Sequence, residues 1–186
     1  MFDVVDTELP GLFELRPQLF EDSRGRLVKI FHADFFAGHG LETGFAEAYS
    51  SLSHERVLRG LHFQNPPHDH AKLVTCLAGG VFDAVLDLRL GSPTYGRHVT
   101  FALSGEQGNL LYIPRGLAHG FYVEEGPATM MYMATTQHSP EADAGIAWDS
   151  AGISWPGGDP VISDRDGGFP RLEDFDSSFV YEDNDS

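Results

Sequence analysis

From residue 57 onward the chain breaks into short apolar or alternating runs, separated by turn residues about every ten positions. The pattern predicts strands at Val57 to Gln64, Lys72 to Leu77, Val81 to Leu88 and His98 to Leu103. Further strands follow at Asn109 to Ile113, Gly120 to Val123 and Thr129 to Thr135. Asn65-Pro66-Pro67, Gly79-Gly80 and Gly91-Ser92-Pro93 supply the breaks. Upstream, Leu27 to Phe31 reads as one more strand after the turn Asp22-Ser23-Arg24-Gly25, and His32 to Gly40 as a helix of little more than two turns. Many short strands without regularly interleaved helices predict an all-β sandwich or barrel rather than a parallel α/β sheet.

Composition changes this picture at three points. The 186 residues, 41% hydrophobic, suffice for one domain with its own core, expected over residues 1–174. The remainder, residues 175–186, is strongly acidic and predicts a disordered tail, although Phe179 and Tyr181 offer a means of docking. Twelve Lys and Arg against 28 Asp and Glu give a net charge of -16, which disfavours nucleic acid and anionic membrane as partners. A small phosphorylated ligand stays compatible, because a few cations in one cleft can make it locally positive. The single cysteine, Cys76, lies in an apolar run and reads as a buried small residue. With no basic, apolar leader at Met1 to Gly11, the expected location is cytoplasmic.

Candidate chemistry gathers around the histidines. Pro114, Gly116 and His119 form P-x-G-x-x-H, a rigid turn that returns the chain so that His119 points inward. This resembles the second motif of the cupins, the double-stranded β-helix or jelly-roll proteins. A metal-binding cupin would add H-x-H followed by a glutamate. His68 and His70 supply the first part, but Val74 and Thr75 stand where the glutamate belongs and Lys72 adds a repelling charge, so no metal is expected. Asp164-Arg165-Asp166-Gly167 lacks the later acidic ligand of a calcium loop. On the predicted strand at 57 to 64, Gly60, His62 and Gln64 share a face while Arg59 points away. If Arg59 and His62 meet one ligand, the strand bends or bulges near Gly60, or Arg59 serves another side or subunit.

Taken together, the series Asp22-Ser23-Arg24-Gly25, VLRGLHFQNPPH, KLV at 72–74, VFDAVLDLRLGSPTYG, IPRGLAHGF and SDRD is similar to the dTDP-4-dehydrorhamnose 3,5-epimerase family. The resemblance implies a cupin-type jelly roll with short peripheral helices that epimerises a nucleoside-diphosphate 4-keto-6-deoxy sugar at C3, C5 or both. It implies His62 as base, Asp166 as its orienting carboxylate and Tyr132 as the group working from the opposite face. Lys72 and His119 then line the sugar and its keto oxygen, and Arg24 and Arg59 lie near the diphosphate. It also implies a homodimer that exchanges its N-terminal segment, up to about Arg16, and no cofactor. Such chemistry is plausible for these residues: removing a proton alpha to a ketone needs a near-neutral base, an electrophile facing the oxygen and an acid on the other face.

Several positions depart from the family pattern. Lys29 stands for a glutamate, Glu47 and Tyr49 for Gln and Asn, and Met133 to His138 for K-x-T-x-Y-Y. The nucleotide or sugar is therefore expected to be held differently, with Glu47, Gln64, Gln137 and His138 as candidate contacts. Two other readings stand beside the epimerase: a sugar-nucleotide binder without activity, and a metal-dependent cupin using His68, His70 and His119.

Overall fold

Two long strands, each bent near its middle, organise the molecule. The structure is a computed structural model of the chain and describes residues 1–182. In order, the chain forms β1 (Phe2–Asp6), β2 (Phe13–Pro17), β3 (Leu19–Asp22), β4 (Gly25–Val28) and the helix α1 (Ala33–Gly38). Then come β5 (Glu47–Ser53), β6 (Leu58–Gln64), β7 (Lys72–Asp87), β8 (His98–Ser104) and β9 (Leu110–Ile113). The last elements are β10 (Leu117–Ala134), β11 (Asp143–Gly145) and the helix α2 (Asp164–Gly167), with a 3₁₀ turn at Leu172–Asp174.

β7 and β10 run antiparallel over nearly their whole length and each serves two layers. The first half of β7 pairs with β9, which continues to β2 and β1, while the last part of β10 pairs with β5. The second half of β7 pairs with β8, while the first part of β10 pairs with β6 and through it β11. One layer therefore reads β1-β2-β9-β7-β10-β5 and the other β8-β7-β10-β6-β11. This is the jelly roll of a cupin, with helices only at its periphery.

The sequence pattern predicts four separate strands where β7 and β10 run through. Gly79 bends β7 at φ 77°, and a Cβ there would lie 2.5 Å from the Glu125 carbonyl oxygen. The facing strand shifts register between Val123 and Thr129, so the turn residues fold two strands over without ending them.

Alternation sorts the side chains. Val74, Cys76, Val85, Phe121, Val123 and Met130 fill the space between the layers. Leu73, Leu110 and Tyr112 point out of the first layer onto Phe36 of α1. Leu61, Phe63, Ala84 and Leu86 point out of the second onto Ile146, Ile153 and Phe179. The acidic end therefore docks, at least through Tyr181. Phe179 is buried, Leu90 donates its N–H to the Phe179 carbonyl and accepts the Tyr181 N–H, and Arg89 lies 5.1 Å from the Tyr181 ring centroid. Burial of Phe179 outweighs the disorder that charge alone predicts; residues 183–186 lie outside the described residues.

Two further differences concern the N-terminal part. The predicted strand at Leu27 to Phe31 is shorter, ending at Val28, and Ile30 and Phe31 turn in against the α1 cluster. Residues 2–17, expected to leave the body, form β1 and β2 on the chain's own sheet, held by the β2–β9 ladder and by burial of Phe2 and Leu15. What projects is the β3–β4 hairpin, a separate two-stranded sheet.

Candidate active site

The same alternation that packs the core leaves polar side chains at one end of the space between the layers, around a cavity of about 490 Å³. From the second layer His62 points in, while its neighbours Leu61 and Phe63 point out. From the first layer Lys72 and Tyr132 point in, as does Ala134, whereas Met131 and Met133 lie on the other face. Tyr132 and His62 thus stand on opposite walls.

Arg59 lines the same cavity despite its odd spacing from His62. In the β6–β10 ladder His119 faces His62 and Phe121 faces Arg59, so two steps on β10 match three on β6. The extra residue is a β-bulge at Gly60, whose φ of 131° and 2.5 Å approach of a notional Cβ to Gly120 Cα admit no side chain. Arg59 Nε donates to Ser53 Oγ at 2.9 Å, which holds the guanidinium at that wall.

His62 Nε2 lies 3.0 Å from Asp166 Oδ1, and the other Asp166 oxygen accepts the Gly60 N–H at 3.0 Å. The carboxylate comes from α2, whose cap Ser163 accepts the Asp166 N–H. Burial lowers the His62 pKa below its ordinary 6.5, with Asp166 opposing the shift. Burial also works against ionisation of Asp166, but its bonds to His62 and Gly60 prevail and hold the carboxyl below its usual range. Phe169 closes one side, edge-on to the imidazole at 5.6 Å.

His119 forms a second dyad, with Nε2 2.7 Å from Asp83 Oδ2. Asp83 is fully buried, its second oxygen has no partner among the described residues, and burial pushes its pKa up. Lys72 is buried as well, and desolvation pulls its ammonium down to about 8. Tyr132 is nearly covered, and burial raises its phenol above the usual 10. On a chain of charge -16, Arg59, Lys72 and Arg165 nevertheless converge on one cavity.

The remaining expected contacts divide. Glu47 lines the cavity and accepts the His138 N–H at 2.7 Å, and His138 lines it too. Gln64 is in the wall, but its amide is engaged: Oε1 accepts from Ser139 N and Nε2 donates to the His68 carbonyl, each at 2.7 Å. Gln137 is exposed and absent from the wall, offering only its carbonyl to Gln64. Arg24 sits on the β3–β4 hairpin, exposed and paired with Asp22, and does not reach this cavity. His68 is exposed, whereas His70 turns inward and burial drops its pKa to about 3.

The pattern of single residues missed Ser51, Asp143 and Arg165, which line the cavity, and Asp83 behind it, while Tyr49 entered only as a departure from the family pattern and His70 only as a metal-ligand candidate. Asp143 and Arg165 form an ion pair at 2.6 Å. For Asp83 a signal existed, since an acid inside the apolar run Val81 to Leu86 demands a buried partner.

A jelly roll with a His–Asp dyad on one wall of a cavity, a buried phenol on the other and three cations in its lining has the outline of an enzyme that moves protons on a bound ligand. The family model described as dTDP-4-dehydrorhamnose 3,5-epimerase matches residues 6–174. The dTDP-4-dehydrorhamnose 3,5-epimerase of Sinorhizobium fredii is 39% identical over 171 residues, covering 90% of this chain and 88% of that one. The structure of dTDP-6-deoxy-D-glucose-3,5-epimerase RmlC from Legionella pneumophila, in complex with dTDP-4-keto-L-rhamnose, superposes with a TM-score of 0.93 at 35% identity, over 98% of this chain and all of that one. ChmJ, a 3'-monoepimerase from Streptomyces bikiniensis in complex with dTDP-quinovose, gives 0.85 at 30% identity, over 90% and 86%. The chain belongs to the dTDP-4-dehydrorhamnose 3,5-epimerase family. It is an enzyme, an isomerase.

Proposed function

We propose that this protein epimerises a nucleoside-diphosphate 4-keto-6-deoxy sugar at C3, C5 or both, by removing a proton at one face and returning one at the other. The observation that carries the reading is the placement of the His62–Asp166 dyad and Tyr132 on opposite walls of one cavity, with His119 beside His62 and Lys72 on the wall of Tyr132. His62 takes the proton alpha to the ketone. The electrons move onto the keto oxygen, and the enolate is stabilised by the Lys72 ammonium and His119. The C–H bond re-forms with the phenolic proton of Tyr132, which is regained from solvent. Asp166 fixes the imidazole and favours the imidazolium that forms.

Arg59 suits a diphosphate at the rim, and Glu47 and His138 suit the polar edges of the nucleotide. The ligands in the two solved relatives are dTDP-linked, which makes a dTDP sugar the first to test, ahead of CDP and GDP. The metal-dependent reading loses its support where His68 points to solvent and His70 leans on Gln64 and Thr136. The finer reading includes a homodimer, supported by the exposed apolar hairpin, and a cytoplasmic location, which a single buried free cysteine suits. No helix among the described residues is long and apolar enough to cross a membrane.

Incubation with such sugars in deuterated water tests the reaction. Wild type incorporates deuterium at the inverted carbon. Tyr132→Phe still washes deuterium into the starting sugar but loses roughly 10²–10⁴-fold in inverted product, as expected for a positioned acid. His62→Ala does neither. A Tyr132→Phe enzyme that inverts at the wild-type rate would overturn the phenol's role.

A further inference from the structure

Tyr49, where the family pattern has an asparagine, is the partner of Tyr132 in the β5–β10 ladder. The two rings stack with centroids 4.8 Å apart and planes 15° from parallel. Like Glu47 and Ser51 on the same strand, Tyr49 lines the cavity, yet the residue remains 43% exposed. The His119 ring also lies against Tyr132, T-shaped with centroids 6.2 Å apart. Two aromatic neighbours and the adjacent Ser51 thus confine a ring that is itself only 7% exposed.

An asparagine has no ring to stack and would leave that face of the phenol open. Proton return is sensitive to such freedom, because a donor displaced by about an ångström from the reacting carbon can lose on the order of a hundredfold in rate. Proton removal by His62 is not sensitive to it, since His62 stands on the other wall and is oriented by Asp166.

We propose that Tyr49 is a positioning residue for proton return: its ring holds Tyr132 in the orientation from which the phenol reaches the sugar. The proposal rests on the reading that Tyr132 is the returning acid. It separates the two half-reactions. Loss of the stack slows reprotonation from the far face and leaves abstraction and return on the near face intact, so exchange without inversion grows at the expense of product.

The test is the ratio of solvent deuterium washed into unreacted sugar to deuterium in inverted product, measured on the full chain. Tyr49→Ala, and Tyr49→Leu as a variant that keeps apolar volume, raise this ratio about three- to tenfold, the range expected for loss of one aromatic pair. Tyr49→Phe, which restores the ring, brings the ratio back to wild type. Thermal melting identifies variants that fail to fold, and Tyr49→Leu then carries the test.

An unchanged ratio in both ring-deleting variants overturns the proposal, as does an equal fall of exchange and inversion, which marks a packing or binding role. Loss of inversion in Tyr49→Phe also overturns it, because the Tyr49 hydroxyl would then be moving the proton. Failure of the underlying reading is distinct: Tyr132→Phe would itself invert normally.

Discussion

His62 sits between two opposed influences, burial that disfavours its cation and a carboxylate that favours it, and burial prevails. A base must be neutral to act. A pKa below 6.5 therefore keeps it active into mildly acidic solution, and activity falls only as pH drops through that lowered value. Lys72 works in the other sense. If its ammonium faces the enolate, activity falls as pH rises through about 8. The expected kcat/KM profile is a bell between these limbs. In Asp166→Asn the support for the imidazolium is gone, so the acid limb moves to lower pH while the rate falls by roughly 10- to 10⁴-fold. An acid limb that stays in place or moves up, in pH–rate measurements of product formation, contradicts the assigned linkage. At this scale the family resemblance pointed to the right residues: His62, Lys72, His119 and Tyr132 line the cavity, and Asp166 bonds to His62. It could not name a partner brought from another strand: the acid at 83 in an apolar run signals that a partner exists but not that it is His119, and nothing pairs Tyr49 with Tyr132.

Alternation along a strand predicts facing only while the ladder is regular, which is why Arg59 could not be placed from spacing. The bulge at Gly60 adds one residue to β6 and returns Arg59 to the wall that carries His62. Its backbone also donates to Asp166, so one residue sets both the arginine's direction and the dyad's anchor. Gly60→Ala places a methyl against Gly120 Cα and the His119 carbonyl at an unfavourable φ. Overpacking and backbone strain together should cost about 3 kcal/mol or more. Relief by straightening β6 would turn Arg59 away and free Asp166. Thermal melting and exchange assays should therefore fall together, and an Ala variant of wild-type stability and activity would sink the bulge argument. Strand positions between residues 57 and 135 were legible, but β3, β5 and β11 were not, nor was the continuity of β7 and β10. Glycine marks both the end of a strand and a bend within it, and only the facing strand decides between them. Charge misdirected the reading of residues 175–181 for a related reason: the uncovered Leu61, Phe63 and Leu86 surface that receives Phe179 is assembled from distant segments.

The whole molecule leaves one apolar element without a core of its own. In the β3–β4 hairpin Leu19, Phe20 and Leu27 are 37%, 46% and 57% exposed, and Arg26 ties it to the carbonyls of Gly105 and Glu106. Two-stranded ribbons are marginal alone, so a second copy of the chain is the expected cover. The same hairpin carries Arg24, which the family resemblance sets near the diphosphate and which does not reach the cavity of its own chain. Both facts fit if the hairpin crosses the two-fold axis and Arg24 serves the partner's cleft. Complementation tests this directly. Arg24→Ala and His62→Ala homodimers are each expected to be severely impaired. In a mixed dimer the chain that keeps His62 receives the intact Arg24 of the other, so one complete cleft forms. Random assembly of equal amounts should then recover about one quarter of wild-type activity, as two-fold symmetry requires. If Arg24 served its own chain, every cleft in the mixture would lack one of the two groups and coexpression would recover nothing. Phe20→Asp combined with Leu27→Asp should shift the protein to monomer in light scattering. A double variant that stays dimeric would place the interface elsewhere.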